Sequence, residues 1–203
     1  MAPSECNQNK FRMSYSRIDG NSIEDFLEFK EFFEISESFM GYVPNSSLLM
    51  AENPDLFKSF SQLAASIFMS KNLEPGIIQL IALASSISSG CKYCQSHTSH
   101  GANKAGIEIK KLSQILDYQN SNLYSDEEKA VLNLSFAAGQ VPNKSEDEHL
   151  NKLKNYFSKK AIIDIVAVIA LFGFLNRWND TLGTKIEDVP ADFLKNNSLS
   201  FNN

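Results

Sequence analysis

Between Ser22 and Trp178 apolar residues return every three or four positions with polar ones filling the gaps, the period of helices that bury one face. The strict alternation that builds strands is almost absent, so the pattern predicts an all-α chain. Ser22 precedes Asp25 at capping-box spacing, and Ile23, Phe26, Leu27 and Phe33 follow at helical intervals as far as Gly41 and Pro44. Asn53 and Pro54 read as N-cap and first residue of a second helix through Phe68. Glu74 and Pro75 open a third, apolar on most sides from Ile77 to Ile87, which stops at Gly90. A helix from Cys91 to Lys104 follows, then a short one near Ile109 to Leu116. Ser125 and Glu128 form a capping box for a helix to Ala138, ended by Gly139 and Pro142. Glu146 to Phe157 is amphipathic, and Ser158 caps a long apolar helix reaching Trp178. After Pro190 the chain is polar and reads as a loose tail.

The run Ile77 to Leu83 matches Ile162 to Val168 in character, 85 residues further on. Either a helical unit is repeated or two buried helices look alike because apolar residues dominate both. In a true repeat Cys91 and Cys94 would correspond to Asn176 and Asn179, and the first copy alone would carry the thiols.

Length adds a bound: 203 residues make one well-filled core and argue against two ordinary domains. We divide the chain into a flexible N-terminal segment over 1–20, one all-helical domain over 21–192 and a polar tail over 193–203. Composition is that of a globular protein, 43% hydrophobic and 21% charged. A net charge of −5 with no Lys/Arg-rich block argues against sequence-nonspecific nucleic-acid binding, which needs cations to displace phosphate counterions. The N-terminus has no apolar signal region, and the expected address is the cytoplasm. Ala161 to Leu175 is shorter than the ~20 residues a membrane span needs and carries Asp164, so a core helix is expected and no membrane partner.

The candidate chemistry lies in Gly90-Cys91-Lys92-Tyr93-Cys94-Gln95-Ser96-His97-Thr98-Ser99-His100. Cysteines three apart in the first turn of a helix bring their Cα atoms to ~5 to 6 Å, inside the disulfide window. The free N–H groups and dipole of a helix start favour a thiolate, and Lys92 would add to this. A buried, unreactive pair is the rival reading. His97, one turn after Cys94, is read either as a proton carrier or as a plain capping or surface residue, His100 as surface, Tyr93 as a pocket wall and His149 as solvated. Zinc fails on geometry. Cys91, Cys94, His97 and His100 on one helix span ~13.5 Å along the axis, whereas zinc bonds are ~2.0 to 2.3 Å long. A c-type haem attachment needs histidine where Gln95 stands. Three cysteines in a reducing compartment make no disulfide framework, and Cys6 lies in a polar end, which leaves the close pair for chemistry.

The run "QLIALASSISSGCKYCQSH" from Gln79 to His97 resembles the carboxymuconolactone decarboxylase-like superfamily, in particular its alkylhydroperoxidase-D-like redox branch with Cys-x-x-Cys. "MGYVPNSSLLMAENPDLF" before it and "LFGFLNRWNDTLG" after it resemble that family's flanking segments, so the likeness covers residues 25 to 192. The resemblance implies a single-domain helical bundle assembling into homo-oligomers, trimers or hexamers. It also implies two cysteines that cycle between dithiol and disulfide, reducing a hydroperoxide or passing electrons from a dithiol donor to a peroxiredoxin. In that branch a histidine and a glutamate activate the second cysteine, here Cys94, while the first, Cys91, resolves the sulfenic acid. Helix electrostatics favours Cys91 as the more acidic thiol instead.

The chain departs from the family pattern twice. Gln79 stands at the relay glutamate's position, twelve residues before Cys91, and Thr98 stands at the relay histidine's, four after Cys94. A relay would have to be rebuilt from His97 with Gln79, Glu74, Asp164 or His100. The expectation is a peroxidase or disulfide reductase for antioxidant defence, using Cys91, Cys94 and His97 with neither metal nor organic cofactor, because the two sulfurs carry the two electrons. Lactone chemistry of the decarboxylase kind and a non-enzymatic oligomeric redox sensor are the alternatives.

Overall fold

The computed structural model describes residues 14–201, and among these there is no β-strand. Two 3-10 turns, Ile23–Asp25 and Leu27–Phe29, lead into α1 (Lys30–Met40), α2 (Asn45–Ala51), α3 (Pro54–Phe68), α4 (Pro75–Ser89) and α5 (Lys92–Lys104). Then come α6 (Ile109–Leu112), a third 3-10 turn (Ile115–Asp117), α7 (Asp126–Ala138), α8 (Asp147–Leu153), α9 (Lys159–Leu182) and α10 (Asp188–Asn196). The all-α expectation holds.

The predicted caps explain most of the boundaries. Asn53 accepts the Leu56 N–H with Pro54 in the first turn of α3, and Ser158 accepts the Ala161 N–H at the start of α9. Ser125 and Glu128 close a reciprocal capping box on α7. The Ser22 and Asp25 pair also forms, but it caps only a single 3-10 turn. Phe26 and Phe29 leave the helical path there so that their rings, with Phe33, meet Phe57 of α3; the Phe29 and Phe57 centroids are 4.6 Å apart.

Helix α4 is the centre. Nine of its residues from Ile78 to Ile87 are buried, and α5, α7 and α9 all pack on it. A helix covered all round cannot be amphipathic, which is why its sequence is apolar on most sides. Its buried hydroxyls do not go unpaired: Ser85 and Ser86 donate to the carbonyls of Ile81 and Ala82 at 2.8 and 2.7 Å. Gly139, ending α7, lets that helix close on α4, since a Cβ there would stand 3.0 Å from the Ser85 backbone. Helix α9 is long and apolar enough to cross a membrane by length and composition, yet one face of it packs against α3, α4, α5 and α7. Asp164 on it accepts from Ser70 Oγ at 2.5 Å and Asn72 Nδ2 at 2.8 Å, tying down the turn after α3.

Two expectations are corrected. The C-terminal stretch is not a loose polar tail: α10 packs on α5, and Leu199 and Phe201 are buried beside Leu80, Leu83 and Ile87. Two apolar residues among polar ones were too few to show a period, but each finds a core already built. The described part of the N-terminal segment is likewise packed, with Tyr15 buried, the Arg17 N–H donating to the Leu182 carbonyl at 2.7 Å and the Lys185 N–H to that of Tyr15 at 2.9 Å. Residues 1–13, with Cys6, lie outside the described residues.

Candidate active site

The dithiol is set where two helices meet head to tail. Gly90 takes φ +78° and ends α4, a conformation that side-chain-bearing residues rarely adopt. The chain reverses there, and Cys91 becomes the N-cap of α5. Its sulfur accepts the Cys94 N–H at 3.5 Å, the place usually held by a serine or aspartate oxygen. Both cysteines are free thiols and both are buried. Cys94 Sγ also receives the Asn179 Nδ2 amide of α9, at 3.6 Å. Burial, followed by the neighbouring Cys91 sulfur, pushes the Cys94 thiol well above the ordinary thiol range, against the lowering influence of Asn179. No described group of three or more His, Cys, Asp or Glu residues is placed to hold a metal ion.

The histidines behave differently from expectation. His97 stacks on Tyr93 with centroids 4.0 Å apart, and its Nδ1 lies 2.8 Å from the Tyr93 carbonyl. A carbonyl only accepts, so Nδ1 carries a hydrogen. Nε2 lies 2.7 Å from Glu187 Oε2. Both ring nitrogens are therefore committed away from the sulfurs, and in this arrangement His97 is not poised to take a proton from Cys94. His100 is half-buried against Tyr42 and Phe193, where burial first, then Lys104 and His97, disfavour its charged form.

The other relay candidates do not meet the sulfurs. Gln79 lies against Gly101, about 10 Å along α5 from Cys94 at 1.5 Å per residue. Thr98 donates to the Cys94 and Gln95 carbonyls of its own helix at 2.7 and 3.3 Å. Glu74 stands just before the far end of α4, and Asp164 sits fifteen residues before Asn179 on α9, each roughly 22 Å from the dithiol end of its helix. His149 caps α8 by accepting the Glu146 N–H at 3.0 Å.

Glu187 went unnoticed in the sequence because it lies in the stretch taken for the end of the domain. As N-cap of α10 it reaches back to two other segments, the start of α2 and the first turns of α5. Oε1 accepts from Tyr93 OH at 2.8 Å and from the Asn45 N–H at 2.5 Å, while Oε2 faces His97. Tyr93 OH in turn accepts the Ser46 N–H at 3.2 Å. Burial works to raise the Glu187 carboxyl, but the bond and charge of His97 and the backbone N–H groups of Asn45 and Glu187 outweigh it and hold it below the usual carboxylate range. An acidic residue followed by Asp188 and Pro190 was the one local sign of a helix start here.

A separate apolar groove of about 960 Å³ runs along α9, α7 and α8, with Val166, Ile169, Phe174 and Trp178 in its wall. Neither cysteine lines it.

Residues 54–137 match the family model "Carboxymuconolactone decarboxylase family". Among solved structures, the debrominase Bmp8, determined as a cysteine-to-alanine variant with 2,3,4-tribromopyrrole, is 32% identical with a TM-score of 0.83, over 93% of this chain and 100% of that one. An alkylhydroperoxidase AhpD core protein from Ralstonia eutropha JMP134, 24% identical with a TM-score of 0.75 over 90% of this chain and 96% of its own, shares the fold. The uncharacterized protein YnjA of Escherichia coli (strain K12) is 27% identical over 122 residues, 60% of this chain and 64% of that protein's length. An all-helical architecture, the matched segment through α3 to α7 and full-length likeness to an enzyme of this fold agree, and the chain belongs to the carboxymuconolactone decarboxylase family.

Proposed function

We propose that the protein is a thiol-dependent oxidoreductase in which Cys91 and Cys94 together give two electrons to a substrate and end as a disulfide. The observation that carries this reading is the pair of free cysteines one turn apart at the start of α5, one capping the helix and the other held by Asn179. With a hydroperoxide, the Cys91 thiolate attacks the terminal oxygen and expels an alcohol, leaving a sulfenic acid. Cys94 then attacks that sulfur and expels water, so that ROOH and two thiols become ROH, H₂O and a disulfide. We take Cys91 as the first attacker because its sulfur accepts the Cys94 N–H at the start of α5, whereas burial and the Cys91 sulfur raise the Cys94 thiol. This reverses the order that the family resemblance implies. A dithiol donor would restore the pair by exchange. Assembly with further copies fits the exposed apolar Ile163, Val166 and Phe174 on α9.

The likeness to a debrominase supports a second substrate class for the same dithiol, a halogenated aromatic. There two thiols and Ar–Br become Ar–H, bromide, a proton and the disulfide, which has the same electron count. The test is to incubate reduced protein with one equivalent of cumene hydroperoxide or of tribromopyrrole, then count thiols and measure alcohol or bromide. Loss of two thiols matched by one equivalent of product is expected for the true class. Two thiols persisting with both substrates would exclude the dithiol mechanism, and activity that survives Cys91→Ser would point to acid/base lactone chemistry.

A further inference from the structure

We infer that Asn179 is a catalytic residue of the dithiol, its side-chain amide donating to Cys94 Sγ and stabilising the sulfur as it becomes anionic. The inference rests on the redox reading above, because only then must Cys94 bear charge: as it attacks Cys91, or as it leaves when the disulfide is reduced again.

The geometry identifies the amide's orientation. Asn179 Nδ2 lies 2.9 Å from the Leu175 carbonyl and 3.6 Å from Cys94 Sγ. A carbonyl cannot donate, so the NH₂ end is the one that faces both, one hydrogen for each. The other end, Oδ1, is buried with no hydrogen-bond partner among the described residues. An amide whose oxygen goes unpaired in the interior is a costly choice, and a leucine would fill the same space without that cost. What the amide supplies and leucine cannot is a hydrogen bond to sulfur. Asn176, one turn earlier, offers a contrast: its Nδ2 reaches the Ser85 carbonyl at 3.5 Å and no thiol.

Among the described residues no other side chain donates a hydrogen bond to Cys94 Sγ. His97 is turned to Glu187, while burial, Cys91 and the charge of Asp180 beside Asn179 all oppose ionisation of this thiol. The amide takes the place of the missing histidine by holding charge rather than by removing the proton. Asn179 also stands 85 residues after Cys94, the same offset as between the matching apolar runs Ile77 to Leu83 and Ile162 to Val168.

The experiment isolates Cys94 in a Cys6→Ser/Cys91→Ser background and follows its alkylation by iodoacetamide from pH 7 to 9. Adding Asn179→Ala should displace the log rate downward roughly tenfold at every pH without changing its slope, because less thiolate is present. Adding Asn179→Asp, which keeps the shape but sets a carboxylate against the sulfur, should slow it at least as much. A purely structural asparagine predicts the opposite, since looser packing around a buried thiol admits reagent faster. An unchanged or faster rate in the aspartate variant overturns the proposal even if the alanine variant fails to fold. Wild-type turnover is measured in parallel. Slowed alkylation with no turnover of either substrate class would sink the function reading and the catalytic role with it, showing only that Asn179 stabilises the Cys94 thiolate.

Discussion

Cys91 does two jobs that substitution can separate. As an N-cap it accepts a backbone N–H through a large, weakly accepting sulfur, and as a redox group it must reach Cys94. Cys91→Ser should therefore match the wild type in denaturant stability or exceed it by up to about 1 kcal/mol, since a serine oxygen caps better, while abolishing oxidation to a disulfide. Cys91→Ala should lose both the cap, ~1 kcal/mol or less, and the redox function. Equal instability of the two variants in urea titration would show that the cap contributes nothing. The thiol pair itself was legible from spacing alone, because i and i+3 in a helix fix a separation whatever surrounds them. The partners of each sulfur were not. Asn179 arrives from a helix 85 residues away, and nothing local to either position announces the contact.

At the level of elements, the break between α4 and α5 is the feature on which the dithiol depends. Gly90 makes the reversal possible, and the Cys91 N–H bond to the Ser86 carbonyl at 3.1 Å closes it. A Cβ on Gly90 would meet nothing within 4 Å, so the cost of Gly90→Ala is backbone strain alone. A stability loss of about 1 to 2 kcal/mol by chemical denaturation is expected, with slower disulfide formation because the Cys91 cap is displaced. Caps and glycines showed most helix boundaries in the sequence since they satisfy backbone groups within a few residues. The elements that escaped were α2 and α10, seven and nine residues long. Helices this short are held by tertiary packing rather than by their own propensity, so little local signal exists to be read.

Over the whole molecule, Glu187 pins three segments together: α10 on which it sits, the start of α2 through Asn45, and α5 through Tyr93 and His97. Its carboxyl is held below the usual range in the folded protein, so the unfolded chain binds that proton more tightly and acid favours unfolding. The stability it contributes is complete above the ordinary glutamate value of ~4.3 and is lost as pH falls through the lower, folded value. Wild-type melting temperature should drop between about pH 5 and 3 by more than that of Glu187→Gln, which has no charge to lose and can still bond Tyr93 and His97. Glu187→Ala should cost about 3 kcal/mol at neutral pH, because it leaves His97 and the Asn45 N–H buried without their acceptor. Parallel acid profiles for wild type and Glu187→Gln would remove Glu187 from this role.

By itself the sequence determined the class of the fold, most helix limits and the place of the thiol pair, since each follows from periods, caps and reach within one stretch of chain. Only the tertiary structure decided which polar groups attend the sulfurs: Asn179 on Cys94, and Glu187 drawing His97 away from the thiols it was expected to serve. The reason is physical. A buried polar atom must find its partner wherever packing brings one, and packing joins helices that are far apart along the chain.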